Sequence, residues 1–334
     1  MKNKKISRRA TATCSTCNTI KRVLGSVLCA ALIVCQTVPV LATDEYGDPI
    51  VTATPVPEEI YHTDYYTQPA DTDSIEGWVQ GPQIEGESAV LMDMITGSIL
   101  YSKNADKAQY PASITKIMTA MLALKYGNMD DVVTITQENL DLESGSQVCG
   151  FWAGDQVTMD QLLHCLLVYS GNDAASAIAT HVGGSTEGFV EMMNSFAKEL
   201  GCTGTHFTNP HGLQDENHYT TPYDIYLMLK EALNYPEFTQ ITQMGSYTVE
   251  YTHADGSSAS TTLTATDHYL TGEATPPKNV TILGGKTGTT DNAGNCLALL
   301  SQNAYGKPYI SIVMGASTKD ELYQQMSSLL QNIN

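Results

Sequence analysis

A chain of 334 residues with 42% hydrophobic composition can bury one sizeable core, so one large domain or two small ones are allowed. Its formal charge of −19 sets 17 Lys and Arg against 36 Asp and Glu, and seven of the cations fall before residue 43, where no acid occurs. The remainder carries ten lysines, no arginine and a formal charge of −26; such a body repels phosphate backbones, which excludes nucleic acid as a partner.

The basic start (Lys2, Lys4, Lys5, Arg8, Arg9, Lys21, Arg22) runs into apolar residues 23–35 and then Val40-Leu41-Ala42, the pattern of an export signal ending in a cleavage site. Residues 1–42 are read as a signal peptide. The alternative is an uncleaved anchor reaching Ala42, but Gln36, Thr37 and Pro39 interrupt the apolar run. Either way the body is expected outside the cytoplasm, in the extracellular space or cell wall, with any membrane association through the N-terminus only. Residues 43–83 follow as an acidic spacer. They contain no Lys or Arg and carry prolines at 49, 55, 57, 69 and 82, so they bury too little apolar surface to fold alone.

The globular part is expected over 84–334. Apolar runs at 89–92 and 98–101 flank Thr96-Gly97 and predict a β-hairpin. After Pro111, the spacing of Ile117, Met118, Met121, Leu122 and Leu124 predicts a helix that stops at Gly127. Thr158 with Gln161 forms a capping box ahead of Leu162, Leu163, Leu166 and Leu167, so a second helix is predicted up to Tyr169. Residues 173–181, 186–200 and 222–234 repeat the helical period. Residues 247–251, 261–266, 296–301 and 309–315 read as strands, and 319–332 as a closing helix. Strands at both ends of a helical insert predict an α/β or α+β sheet domain with a helical subdomain.

Four cysteines lie beyond residue 42: Cys149, Cys165, Cys202 and Cys296. They show no CxxC pairing and are expected to be buried free thiols. The histidines are scattered without HExxH spacing, so neither a metal nor another cofactor is expected.

Three short motifs carry chemistry. Ser113-Ile114-Thr115-Lys116 puts a hydroxyl at a helix start and an amine one turn later on the same face. A serine hydroxyl needs a neighbouring base, and a lysine can serve when desolvation or another cation lowers its pKa. The same spacing recurs at Ser195-Phe196-Ala197-Lys198, but inside a continuous helical pattern, where it reads as a solvated face. Ser170-Gly171-Asn172 lies in the break between two apolar helices, where a turn projects both polar side chains into one cleft; as isolated residues they read equally as helix caps. Lys286-Thr287-Gly288, after Gly284-Gly285 and before Thr289-Thr290, is a glycine-rich strand with a cation and hydroxyls. There a substrate backbone can lie close to the edge, and lysine and threonine can hold a carboxylate.

The ordered set S-x-x-K, S-x-N and K-T-G resembles the penicillin-recognising serine enzymes. Asp93 with Gly97 and Leu100-Tyr101, Pro111-Ala112-Ser113, Gly145-Ser146, Ser170-Gly171-Asn172-Asp173 and Asn209-Pro210-His211-Gly212-Leu213 narrow the resemblance to the low-molecular-mass D-alanyl-D-alanine carboxypeptidases, from about residue 84 onward. The resemblance implies a five-stranded antiparallel sheet flanked by helices, with a mainly helical subdomain, of the β-lactamase/transpeptidase type. It implies that Ser113 attacks a peptidoglycan stem peptide ending in D-Ala-D-Ala, with Lys116 as base and Ser170 and Asn172 relaying the proton and holding the substrate amide. Backbone N–H groups of Ser113 and Thr289 would form the oxyanion hole, and Lys286 and Thr287 would bind the carboxylate beside Gly288. A β-lactam would leave a long-lived ester on Ser113. Two departures stand out. The residues after Lys286 suffice for two strands and a helix, so the C-terminal β-domain and anchor helix of many relatives are not expected. Where relatives often carry an arginine, this chain reads Thr318-Lys319-Asp320-Glu321, which implies either weaker substrate binding or replacement by Lys319. A β-lactamase, a transpeptidase and a non-catalytic wall-binding relative are the competing readings. The first would need a deacylating acid, for which residues 138–143 are the nearest candidates.

Overall fold

The computed structural model describes Pro82 and residues 84–333. Apart from Pro82, the segments read as export signal and acidic spacer lie outside the described residues. No described helix is long and apolar enough to cross a membrane.

The first hairpin pairs β1 (Ser88–Asp93) with β2 (Ile99–Lys103). Near the C-terminus come β7 (Thr281–Thr290), β8 (Gly294–Gln302), β9 (Pro308–Ala316) and helix α8 (Lys319–Leu330). Together the five strands form the expected antiparallel sheet in the order β2-β1-β9-β8-β7, with Val90 opposite Ile312 and Leu297 opposite Val313. Both faces are covered. Along β1 the side chains alternate, Ala89 and Leu91 packing into the cluster that contains α8, Val90 and Met92 into the larger one that contains most of the other helices. A strand buried on two faces needs no polar alternation, which is why 89–92 is uninterruptedly apolar.

The helical part contains α1 (Lys116–Tyr126), α2 (Met159–His164), α3 (Asn172–Gly183), α4 (Thr186–Glu199), α5 (Pro222–Ala232) and α6 (Pro236–Thr242). Helix α1 is central: every residue from Lys116 to Ala123 is buried. The capping box at Thr158 and Gln161 is formed as expected, but helix α2 gives way at Cys165 to a π-helical turn (Cys165–Tyr169) rather than running on as α-helix. A second, four-stranded antiparallel sheet, which the sequence pattern did not announce as a unit, orders β3 (Val132–Thr134), β4 (Gln156–Thr158), β5 (Ser246–Thr252) and β6 (Ser258–Thr264) as β3-β4-β5-β6. A one-turn helix α7 (His268–Thr271) leads from it to β7. All four cysteines are buried and free.

Candidate active site

The site begins with a strained turn. Residues Ala112–Thr115 form a 3-10 turn ahead of α1, and Ala112 adopts a left-handed conformation at φ 48°, which an alanine reaches only under constraint. Ser113 therefore sits on a tight turn before the α-helix rather than in its first turn. The Asn209–Leu213 loop crosses this turn so closely that a Cβ at Gly212 would fall 1.8 Å from the Ala112 carbonyl oxygen; Gly212 itself is at φ 87°. On the other side β7 approaches. A Cβ at Gly288 would lie 3.0 Å from the backbone nitrogens of Ser113 and Ile114, so only glycine lets the strand edge meet the serine N–H.

Lys116 Nζ lies 2.9 Å from Ser113 Oγ, and donates to Asn172 Oδ1 at 2.6 Å and to the His211 carbonyl at 2.7 Å. Its side chain is fully buried. Burial and, next, the Lys286 charge hold its pKa well below the ordinary lysine range, against the smaller opposing pull of Cys149 and Asp173. An uncharged amine has two hydrogens and one lone pair. Asn172 and His211 offer only acceptor oxygens, so they take the hydrogens and the lone pair is left toward the Ser113 hydroxyl.

Ser170 ends the π-helical turn at φ 70° and accepts from Lys286 Nζ at 2.9 Å, while Asn172 opens α3. Asp173 accepts from the backbone N–H groups of Cys149 and Gly150, and the Asn172 N–H donates to the Gln147 carbonyl, which ties loop 143–150 to the start of α3. Lys286 is buried too, spends a second hydrogen on the Thr287 carbonyl at 3.0 Å, and has its pKa lowered to about 7 by burial, against the opposing charge of Asp267. Thr287 Oγ1 pairs with Thr266 Oγ1 at 2.5 Å, and Thr289 Oγ1 donates to Asn295 Oδ1 at 3.2 Å.

These groups border a cleft of about 380 Å³ whose lining includes Ser113, Ser170, Asn172, Thr287, Gly288 and Thr289. All eight residues singled out in the sequence thus converge, six on the cleft wall and two, Lys116 and Lys286, buried behind it. The decoy does not join them: Ser195 and Lys198 are exposed on α4.

Comparison with known proteins identifies the family. Residues 76–318 match the family described as D-alanyl-D-alanine carboxypeptidase. The chain belongs to that family. The D-alanyl-D-alanine carboxypeptidase DacF of Bacillus subtilis is 38% identical over 251 residues, covering 74% of this chain and 61% of the relative. DacC of Escherichia coli is 33% identical over 267 residues, covering 76% and 62%. The chain therefore spans about three fifths of the length of these curated relatives. Among solved structures, the Streptomyces K15 DD-transpeptidase superposes with a TM-score of 0.70 at 30% identity, covering 76% of this chain and 98% of that one. Penicillin binding protein 5 from Haemophilus influenzae gives 0.67 at 32% identity, covering 76% and 72%.

Several cleft residues of this family member were not marked by any motif. Glu143, Thr266, His268, Asp291 and Lys319 all line the cleft. Thr266 and His268 follow β6 and could not be placed there without knowing that β6 ends beside β7. Glu143 lies within the segment already noted as the nearest acid, and Lys319 is the lysine found in place of the expected arginine. No group of three or more His, Cys, Asp or Glu among the described residues is arranged to hold a metal ion.

Proposed function

We propose that this chain is a serine D-Ala-D-Ala carboxypeptidase that removes the terminal D-alanine from peptidoglycan stem peptides outside the cytoplasm, and that β-lactams acylate the same serine. One observation carries the reading: a serine hydroxyl 2.9 Å from a fully buried lysine amine, in a cleft bounded by a glycine-bearing strand edge.

The chemistry follows from the contacts. Ser113 Oγ attacks the carbonyl carbon between the two D-alanines as its proton passes to the Lys116 lone pair. The oxyanion that forms is assigned to the backbone N–H groups of Ser113 and Thr289, a reading supported by the close approach of Gly288 to the Ser113 nitrogen. Asn172, whose Oδ1 is held by Lys116, keeps its amide N–H for the substrate carbonyl. Ser170, which accepts from Lys286, gives its hydroxyl proton to the departing D-alanine nitrogen and takes in return the proton that Lys116 received from Ser113, so both side chains end neutral. The C–N bond breaks, free D-alanine leaves, and water cleaves the acyl-Ser113 ester to return the serine. In a β-lactam the leaving nitrogen stays tethered to the acyl group, so the ester persists. Lys286 acts on the substrate carboxylate as a charge behind the wall, because two of its three hydrogens are spent on Ser170 and Thr287. Direct contacts fall to Thr287 and to Lys319 at the cleft rim.

The test is to incubate the protein and its Ser113→Ala variant with fluorescent penicillin and with a pentapeptide ending in D-Ala-D-Ala. Labelling and D-alanine release are expected from the intact protein alone. Label on the variant, or release without Ser113, would defeat the assignment. Fast turnover of penicillin would transfer the reading to a β-lactamase that uses Glu143 at the cleft.

A further inference from the structure

Behind the strained turn lies a polar chain that the proposed chemistry does not use. His218 is 2% exposed, and its Nε2 lies 2.8 Å from Thr115 Oγ1. Thr115 Oγ1 lies 2.8 Å from the Ala112 carbonyl oxygen. On the far side of the ring, Nδ1 faces the Thr208 backbone N–H at 3.0 Å. These partners fix every hydrogen. A backbone N–H can only donate, so Nδ1 accepts; a carbonyl can only accept, so the single Thr115 hydroxyl hydrogen goes to Ala112. Thr115 is then left as an acceptor for Nε2–H, and His218 is the neutral Nε2–H tautomer. Burial favours that uncharged ring, lowering its pKa to about 4.

The chain ends at a residue whose backbone needs holding. Ala112 immediately precedes Ser113, and its left-handed conformation is opposed by the steric preference of any residue with a Cβ. The carbonyl that Thr115 grips is also the atom against which Gly212 is packed, so the turn is clamped from both sides. Thr115 is adjacent to Lys116, so the same clamp sets where the amine leaves the helix.

We infer that His218 is a positioning residue for acylation, acting through the Thr115 hydroxyl on the Ala112 carbonyl to hold the turn that presents Ser113. Resting on the proposed serine chemistry, the inference adds a residue that touches neither substrate nor nucleophile. Its effect should fall on the acylation step rather than on ligand capture, since displacing a nucleophile slightly from its attack geometry is costly even when the cleft is intact.

The two nitrogens of the ring can be replaced separately. His218→Gln keeps a donor where Nε2 stands and loses the acceptor toward Thr208; His218→Asn keeps the acceptor and loses the donor toward Thr115. Rates of Ser113 acylation by fluorescent penicillin, resolved into noncovalent affinity and the acylation constant, are measured with thermal melting as a control. The acylation constant is expected to fall about tenfold in His218→Asn and in Thr115→Val with affinity unchanged, and to stay within about threefold of the parent in His218→Gln and Thr115→Ser. The double variant His218→Asn, Thr115→Val should be no slower than Thr115→Val alone, because one chain is cut twice. The inference is overturned if His218→Asn acylates at the parent rate, if the two His218 variants lose rate equally in step with melting temperature, or if the double variant shows multiplied losses. Failure of the parent protein to be labelled would instead remove the serine reading, and this inference with it.

Discussion

The same four-residue spacing occurs twice in this chain and ends in opposite surroundings. At Ser113 and Lys116 the hydroxyl lies on a strained turn at a cleft, and the amine is buried with three polar partners. At Ser195 and Lys198 both side chains are exposed near the C-terminal end of α4, far from its start at Thr186 under a Ser185 cap. Helical geometry brings serine and lysine within reach in both places, but only desolvation and a second buried cation hold an amine uncharged at neutral pH. Spacing makes the contact available, and burial makes it a base.

The largest contrast should come from the hydroxyls. Ser113→Ala is expected to abolish penicillin labelling, while Ser195→Ala retains the parent rate in the same gel assay; loss of labelling in the second would erase the distinction. Next come the amines. Lys116→Met should slow acylation by about a thousandfold, the scale of a lost general base, whereas Lys198→Met should leave it unaltered in stopped-flow traces.

A third effect is read from pH. In the free enzyme kcat/KM requires Lys116 to have lost its proton, which burial makes possible well below the ordinary lysine range, and should fall near pH 7, where Lys286 gives up the charge that acts on the substrate carboxylate. Lys286→Arg keeps that charge and should remove the falling limb; a limb that survives would implicate another group. The same shift has a stability counterpart. Lys286 is depressed to about 7 when folded but titrates at 10.5 as a free lysine, so the unfolded chain holds the extra proton between those values. Its contribution to stability is full above 10.5 and is lost as pH falls toward 7. Urea melts of the parent should therefore gain stability from about pH 7 to about pH 9 relative to Lys286→Met. The smallest effect concerns the decoy helix: Ser185→Ala removes its cap and should cost about 1 kcal/mol of stability with no change in labelling.

How much of this was readable beforehand depended on local signal. Strands β1, β8 and β9 were legible because strands buried on both faces are apolar runs, whereas the five-stranded antiparallel arrangement came from the family resemblance. Of the four-stranded sheet, β5 and most of β6 were expected at 247–251 and 261–266, but β3 and β4 are three residues long and gave no signal, so the sheet was not announced as a unit. Helix α6 begins at Pro236, a favoured first-turn position, but its seven residues are too few to display a period. Nothing in Cys165-Leu166-Leu167 announces the change to π-helical winding that delivers Ser170. In the site, three motifs named seven of the eight converging residues and the neighbouring Thr289 completed them, yet the depth of each was invisible. Lys286 was expected at the carboxylate and lies behind the wall, with its hydrogens engaged by Ser170 and Thr287. The left-handed Ala112 and the His218 chain that grips it were equally hidden, because alanine carries no mark of backbone strain and His218 is distant in sequence.

The central claim is that the Lys116 amine is uncharged where Ser113 needs a base. Nuclear magnetic resonance of lysine labelled at Cε, with the Lys116 signal assigned by its loss in Lys116→Met, reads that charge directly. The signal should turn to that of a free amine well below the pH of an ordinary lysine titration. An ammonium signal persisting to about pH 10 would contradict it.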